Sequence, residues 1–187
     1  MTTPLRSSDE TVDLAKIENR APSVARMFID RVTATPDAEA YRYPDGKDGW
    51  ASATWEQTGD RVRLLAAGLI SLGVRSEDRV ALASSTRFEW VLADLAVMCA
   101  GAATTTVYPT TNAPDVAFIV SNSGSKIVIA EDSAQIEKLT QHRSELPDVT
   151  RVVVIDGSGD GDWVIGLSDL EELGRALTAD NPNAVVD

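Results

Sequence analysis

A doubly wound α/β fold, with a mainly parallel sheet and helices on both faces, is the class this sequence predicts, on three observations. Short apolar runs such as 79–83, 126–130 and 151–155 alternate with amphipathic segments from residue 54 onward. Ser, Thr and Asn start signals and glycine stop signals bracket the amphipathic segments. Strand and helix then follow one another in an unbroken series, the pattern of parallel strands joined by right-handed crossovers.

Residues 1–22 are polar and aperiodic and are expected to form an arm ahead of a partial α/β domain over 23–187. A helix is expected over 23–35, because Val24, Phe28 and Val32 recur on one face and Pro36 ends it. Strands over 38–43 and 50–54, joined through Pro44-Asp45-Gly46, read as a hairpin. Thr54 and Gln57 have capping-box spacing, Thr58, Val62, Leu65, Leu69 and Leu72 mark one helical face, and Gly73 supplies the left-handed stop. After the strand over 79–83, Thr86 and Glu89 have the same box spacing ahead of a helix that carries Phe88, Trp90, Val91, Leu95 and Met98 and closes at Gly101.

TTTVYPTTN, residues 104–112, reads as a buried strand that stops in a cluster of hydroxyls. Asn112 then caps a helix with Pro114 in its first turn, where the missing N–H costs nothing, and Gly124 ends it. A strand over 126–130, a helix over 133–144, a strand over 151–155, a Gly- and Asp-rich loop and a helix over 168–177 complete the series. Trp55 and Trp90, on amphipathic helices, read as anchors between helix and sheet.

Composition narrows the partners. With 187 residues and 43% hydrophobic content the chain can bury a substantial core. A net charge of −12 without a basic patch argues against nucleic acid. No run reaches the ~20 apolar residues of a membrane-spanning helix, and no signal-peptide pattern opens the chain. The lone Cys99 sits among Val97, Met98 and Ala100 and reads as a buried thiol in a cytoplasmic setting.

Five constellations invite chemistry. Residues 121–126, Ser-Asn-Ser-Gly-Ser-Lys, lie between a helix and a following strand, the reverse of the strand-loop-helix order of a phosphate loop, so Gly124 reads as a helix cap. Asp156, Asp160 and Asp162 miss the calcium-loop spacing and read as a solvated turn. His142, the only histidine, lies on a polar helix face with no nucleophile beside it. Residues 84–87 and 108–112 remain: in both, the carboxyl end of a strand meets a helix N-terminus, where open α/β sheets hold ligands.

The same segments, in order, resemble the start of the adenylate-forming enzymes and, within them, the bacterial long-chain fatty acyl-CoA synthetases. Ala53-Thr-Trp-Glu-Gln57 looks like the family's first motif, and Leu64–Val74, Asp78–Leu82, Thr86–Trp90 and Ala93–Ala96 continue in family order. Gly101–Thr110 looks like the second motif, and Val107-Tyr-Pro-Thr110 is similar to the long-chain acyl branch.

The resemblance implies an incomplete portion of the large N-terminal domain of such a ligase. It also implies a two-step reaction in which a fatty carboxylate attacks the α-phosphate of Mg-ATP and expels pyrophosphate, after which the thiol of coenzyme A displaces AMP. ATP, Mg²⁺ and coenzyme A are thus the cofactors expected of the full-length enzyme, and a long-chain fatty acid its substrate. Tyr108, Pro109, Thr110 and Thr111 are expected beside the acyl and pantetheine channels, as wall. No catalytic, cofactor-binding or metal-ligating residue is assigned within the chain, because the family's phosphate loop, adenine segment, ribose aspartate and catalytic lysine have no counterpart in it. The fragment is therefore expected to be inactive alone and to bind none of these ligands tightly.

Two rivals stand beside this reading: a fatty acyl-AMP ligase that hands the acyl group to a carrier protein, and a non-catalytic module that binds a ligand or partner at its rim. A truncated sheet is also expected to expose apolar surface and form a homo-oligomer. The expected location is the cytoplasm, with peripheral contact at the inner membrane face.

Overall fold

Residues 14–185 are described by a computed structural model. In chain order the elements are α1 (Leu14–Glu18), α2 (Val24–Ala34), β1 (Glu39–Pro44), β2 (Trp50–Thr54), α3 (Trp55–Ser71), β3 (Arg79–Ala83), α4 (Phe88–Cys99), β4 (Ala103–Val107), α5 (Ala113–Ser123), β5 (Ser125–Ala130), α6 (Ser133–Gln141), β6 (Arg151–Val154), β7 (Val164–Gly166) and α7 (Leu167–Asp180). The hairpin β1–β2 is antiparallel, and β4-β3-β5-β6-β7 form one parallel sheet in that order. The α/β class is as expected. Of the expected arm, residues 1–13 lie outside the described residues, and α1 falls within the rest.

The chain runs from β3 outward to β4, then returns past β3 to β5 and continues through β6 to β7. That reversal puts the topological switch point between the carboxyl ends of β3 and β5, where doubly wound folds open a crevice. Alternation along the strands divides the interior into two cores. Val80, Leu82, Ile127, Ile129 and Val153 face α3, α4 and α7, while Ala81, Ala83, Val128, Val152 and Val154 face α5 and α6.

Local signals account for most boundaries. Ser23, Thr54, Asn112 and Asp132 each cap their helix through a side-chain oxygen. The Thr54–Gln57 capping box closes in both directions, at 3.2 and 3.0 Å. Thr54→Ala removes one of these bonds and is expected to cost about 1 kcal/mol, read as a lower urea midpoint with an unchanged slope. Gly124 adopts φ +66° as the stop of α5.

Tyr43 stacks on Phe88 at 4.2 Å between centroids, and Tyr41 touches both Phe88 and Trp55, so aromatic contacts fasten the hairpin to the N-terminal turn of α4. Trp55 and Trp90 both pack partly buried against the first core, as anchors. Along α3 and α7 the backbones approach closely at two glycines. A Cβ on Gly68 would stand 2.2 Å from the Leu170 carbonyl oxygen, and one on Gly174 would stand 1.9 Å from that of Leu64.

Four expectations need correction. The strand at 103–107 is an edge strand: Ala103 and Thr106 are exposed and only Val107 is buried. Thr86 and Glu89 form no capping box; Arg87 is the N-cap of α4, without a side-chain cap bond, because Glu89 pairs with the Arg87 guanidinium instead. The helix from Ser133 stops at Gln141, and a 3₁₀ turn at Arg143–Glu145 follows. Finally, β7 joins the sheet beside β6 after a short loop without a helix, its register held by Val152 N–H donating to the Trp163 carbonyl at 2.8 Å.

Candidate functional site

The expected wall residues sit where β4 leaves the sheet. Val107 is the last buried position, and Tyr108 follows with 80% of its surface exposed. Thr111 N–H donates to the Tyr108 carbonyl at 3.0 Å and closes a turn. The Pro109 carbonyl accepts from Lys138 Nζ at 2.6 Å and from Gln135 Nε2 at 3.4 Å, and Lys138 also donates to Gln135 Oε1 at 3.0 Å. Gln135 is buried, so this pair on α6 fixes the loop from below.

Asn112 fixes the other end: its Oδ1 accepts from Asp115 N–H at 3.0 Å. Tyr108 and Thr110 are thereby presented to solvent on a pinned backbone. These groups can supply surface, shape and hydroxyls, and none of them stands beside a base that could move a proton.

At the switch point the second candidate loop, 84–87, meets three carboxylates. Ser85 donates to Glu131 through N–H at 2.8 Å and through Oγ at 2.6 Å. Arg87 Nε donates to Glu89 at 2.7 Å, while its two terminal nitrogens form a fork with Asp156, the longer arm 3.1 Å. Glu131 lies 3.8 Å from the same guanidinium. The hydrogen bond from Asp156, with that from Glu89, raises the Arg87 guanidinium above its usual range despite the opposing effect of burial.

One cation thus ties the loops after β3, β5 and β6 together at the switch point. The residues present do not fit a nucleoside triphosphate: Glu89, Glu131 and Asp156 outnumber Arg87, Arg61 nearby is paired with Glu171, and Lys138 at the other loop is spent on a carbonyl and an amide.

The remaining constellations have local roles. Asp160 Oδ1 accepts from Asp162 N–H at 2.8 Å and Val164 N–H at 2.9 Å, and these backbone bonds hold its carboxyl below the usual range. His142 Nδ1 lies 2.7 Å from Glu145 in the turn after α6. The Cys99 thiol is pushed up to about 11 by burial, which disfavours thiolate chemistry near neutrality. Sequence reasoning marked the two loops but missed Gln135, Lys138 and Glu131, and it read Asp156 as part of a solvated turn, whereas that carboxylate pairs with Arg87. They come from three other segments, and no local spacing signals that they converge.

A model described as AMP-binding enzyme matches residues 28–183. The chain belongs to the AMP-binding enzyme family. Within this family it is similar to the long-chain-fatty-acid–CoA ligase FadD15 of Mycobacterium tuberculosis (33% identity over 138 residues), covering 73% of this chain and 23% of that one. It is also similar to a shorter protein of the same organism, Rv1549 (31% over 139 residues), covering 74% of this chain and 75% of that one. Among solved structures, a Mycobacterium tuberculosis fatty acyl CoA synthetase superposes with a TM-score of 0.66 at 26% identity, over 86% of this chain and 29% of that one. The N-terminal domain of FACL13 from the same organism gives 0.66 at 26%, over 83% and 36%. The chain therefore spans about a quarter of the length of the FadD15 ligases it matches.

Proposed function

We propose that this chain is the N-terminal scaffold of an AMP-forming long-chain fatty acid–CoA ligase, with 1–22 as an arm and 23–187 as part of its large α/β domain. The observation that carries this reading is the family match over 28–183, which runs through both strand-to-helix loops of the rim. Tyr108, Pro109, Thr110 and Thr111 serve as wall for the acyl and pantetheine channels. Their pinned backbone supports that role, since a wall must hold its shape while substrate slides past.

ATP, Mg²⁺ and coenzyme A are handled by groups beyond this segment, and the acidic switch point supports that division of labour. The fatty acid is bound jointly, the setting is cytoplasmic, and the isolated segment self-associates.

Phosphoryl chemistry needs preorganised positive charge at the α-phosphate. No pyrophosphate release above background is accordingly expected when the 187-residue chain meets ATP, Mg²⁺ and palmitate; turnover would overturn the scaffold reading. Sequencing the parent gene past codon 187 tests the assignment as a ligase. A Ser-, Thr- and Gly-rich loop ending in Lys is expected, whereas an immediate stop codon favours a stand-alone binding module.

A further inference from the structure

Four Asp-Gly dipeptides occur in the sequence, at 45–46, 48–49, 156–157 and 160–161. Aspartate followed by glycine is the pair in which the next main-chain amide most readily reaches the side-chain carboxyl, because glycine puts no Cβ in the way. The fold holds three of these carboxylates in place. Asp45 Oδ1 accepts from the N–H groups of Lys47 at 2.8 Å and Gly49 at 2.9 Å. Asp156 is clasped by the Arg87 fork, and Asp160 Oδ1 accepts from the N–H groups of Asp162 and Val164. Asp48 differs: its side chain is exposed and has no hydrogen-bond or ion-pair partner among the described residues. It also sits at φ +62°, in the left-handed region that a side chain disfavours.

We infer that Asp48-Gly49 is a self-modifying site, at which the chain isomerises to isoaspartate with Asp45 as the base. Gly49 N is the nucleophile, and its N–H already points at Asp45 Oδ1, 2.9 Å away and within reach of a general base. A Cβ at 49 would stand 2.5 Å from Asp45 Oδ2 and push that carboxylate away, so glycine serves the approach as well as the attack. In the first step Gly49 N bonds to Cγ of the protonated Asp48 carboxyl and the Cγ–OH bond breaks. Asp45 takes the amide proton and returns it to the departing hydroxide, which leaves as water. The product is a succinimide ring. Water then adds to one of the two ring carbonyls and the C–N bond there breaks. Opening at Cγ restores aspartate, and opening at the main-chain carbonyl carbon gives isoaspartate, with the chain running on through Cβ and Cγ. Every reacting atom lies within residues 45–49, and no oxidant or cofactor is needed.

The extra main-chain atom of isoaspartate falls where the hairpin closes. There Asp45 N–H donates to the Gly49 carbonyl at 3.1 Å while Gly49 N–H donates to Asp45 Oδ1, and a longer turn breaks this closure. The strand it loosens carries Tyr43, whose ring stacks on Phe88 at the start of α4. Phe88 follows Arg87 directly, so a change at the hairpin tip reaches the switch point through one stacked pair.

The test ages the 187-residue chain at neutral pH and physiological temperature and maps isoaspartate by electron-transfer fragmentation of its peptides, which cleaves the Cα–Cβ bond that isoaspartate places in the main chain. Residue 48 is expected to accumulate isoaspartate several-fold faster than residues 45, 156 and 160. In concentrated urea the four rates are expected to converge, residue 48 slowing and the other three quickening, because unfolding takes the base from one and the restraints from the others. Asp45→Ala is expected to slow residue 48 several-fold in the folded chain; if that variant does not fold, the urea comparison decides alone. Isoaspartate at 45, 156 or 160 that equals or exceeds that at 48 in the folded chain overturns the site. A rate at 48 that is no lower in urea, or no lower in folded Asp45→Ala, overturns Asp45 as the base.

Discussion

Replacing Gly174 with alanine is expected to destabilise the fold by about 3 kcal/mol, at the upper end of overpacking costs. Two effects oppose each other. Alanine is a better helix former than glycine by about 1 kcal/mol, which alone would stabilise α7. The new Cβ, however, would stand 1.9 Å from the Leu64 carbonyl oxygen and 3.0 Å from the Gly68 nitrogen, both backbone atoms of α3 that no rotamer change can move.

The helices must separate, and contacts around buried Leu65, Leu69 and Leu170 loosen with them. Urea denaturation followed by tryptophan fluorescence reads the loss, and a midpoint equal to that of the unaltered chain would contradict the close approach. Gly68→Ala acts on the same contact, so the double variant should lose less than the sum of the two.

Arg87→Met should cost about 2 kcal/mol, less than the 3–5 kcal/mol typical of breaking a fully buried pair. The discount reflects solvent: the Asp156 side chain is 55% exposed, although those of Arg87, Glu89 and Glu131 are only 19–28% exposed. Methionine preserves much of the stem's packing and removes the charge, leaving three carboxylates facing one another. Added salt should therefore narrow the gap between variant and parent, because the residual penalty is like-charge repulsion. Arg87→Lys should recover only part of the loss, since an ammonium cannot reproduce the fork to Asp156. A methionine variant as stable as the parent at low salt would show that this cluster does not hold the rim.

Features carried by neighbouring residues were legible in the sequence. Thr54 with Gln57, Asn112 with Pro114, and Gly124 each signal a helix boundary through a side chain or backbone preference that acts within four residues. The family resemblance likewise rested on an ordered series of local motifs. Strand order is a different kind of information. The stretch 104–107, three β-branched threonines and a valine, has strand propensity that suits an interior or an edge position alike, and only the return of the chain past β3 leaves it at the edge.

β7 escaped notice because three residues carry too little periodicity and the loop before it contains no crossover helix. The Thr86–Glu89 spacing misled for an electrostatic reason: the guanidinium of Arg87, the N-cap itself, competes for the glutamate more strongly than a backbone N–H does. At the candidate site the loops could be read, but the groups that pin or fill them could not. Lys138, Glu131 and Asp156 reach the rim from α6 and from the ends of β5 and β6.

The seam between α3 and α7 has a consequence for the order of events at the ribosome. Its two sides are separated by roughly a hundred residues of chain, so a nascent polypeptide leaves the face of α3 that meets α7 uncovered until synthesis has passed α7, although β3 and α4 can cover the rest earlier. High contact order of this kind slows folding and lengthens the interval in which sticky intermediates persist. Chaperone dependence should accordingly track the emergence of residues 167–180 from the exit tunnel rather than completion of the first βα unit.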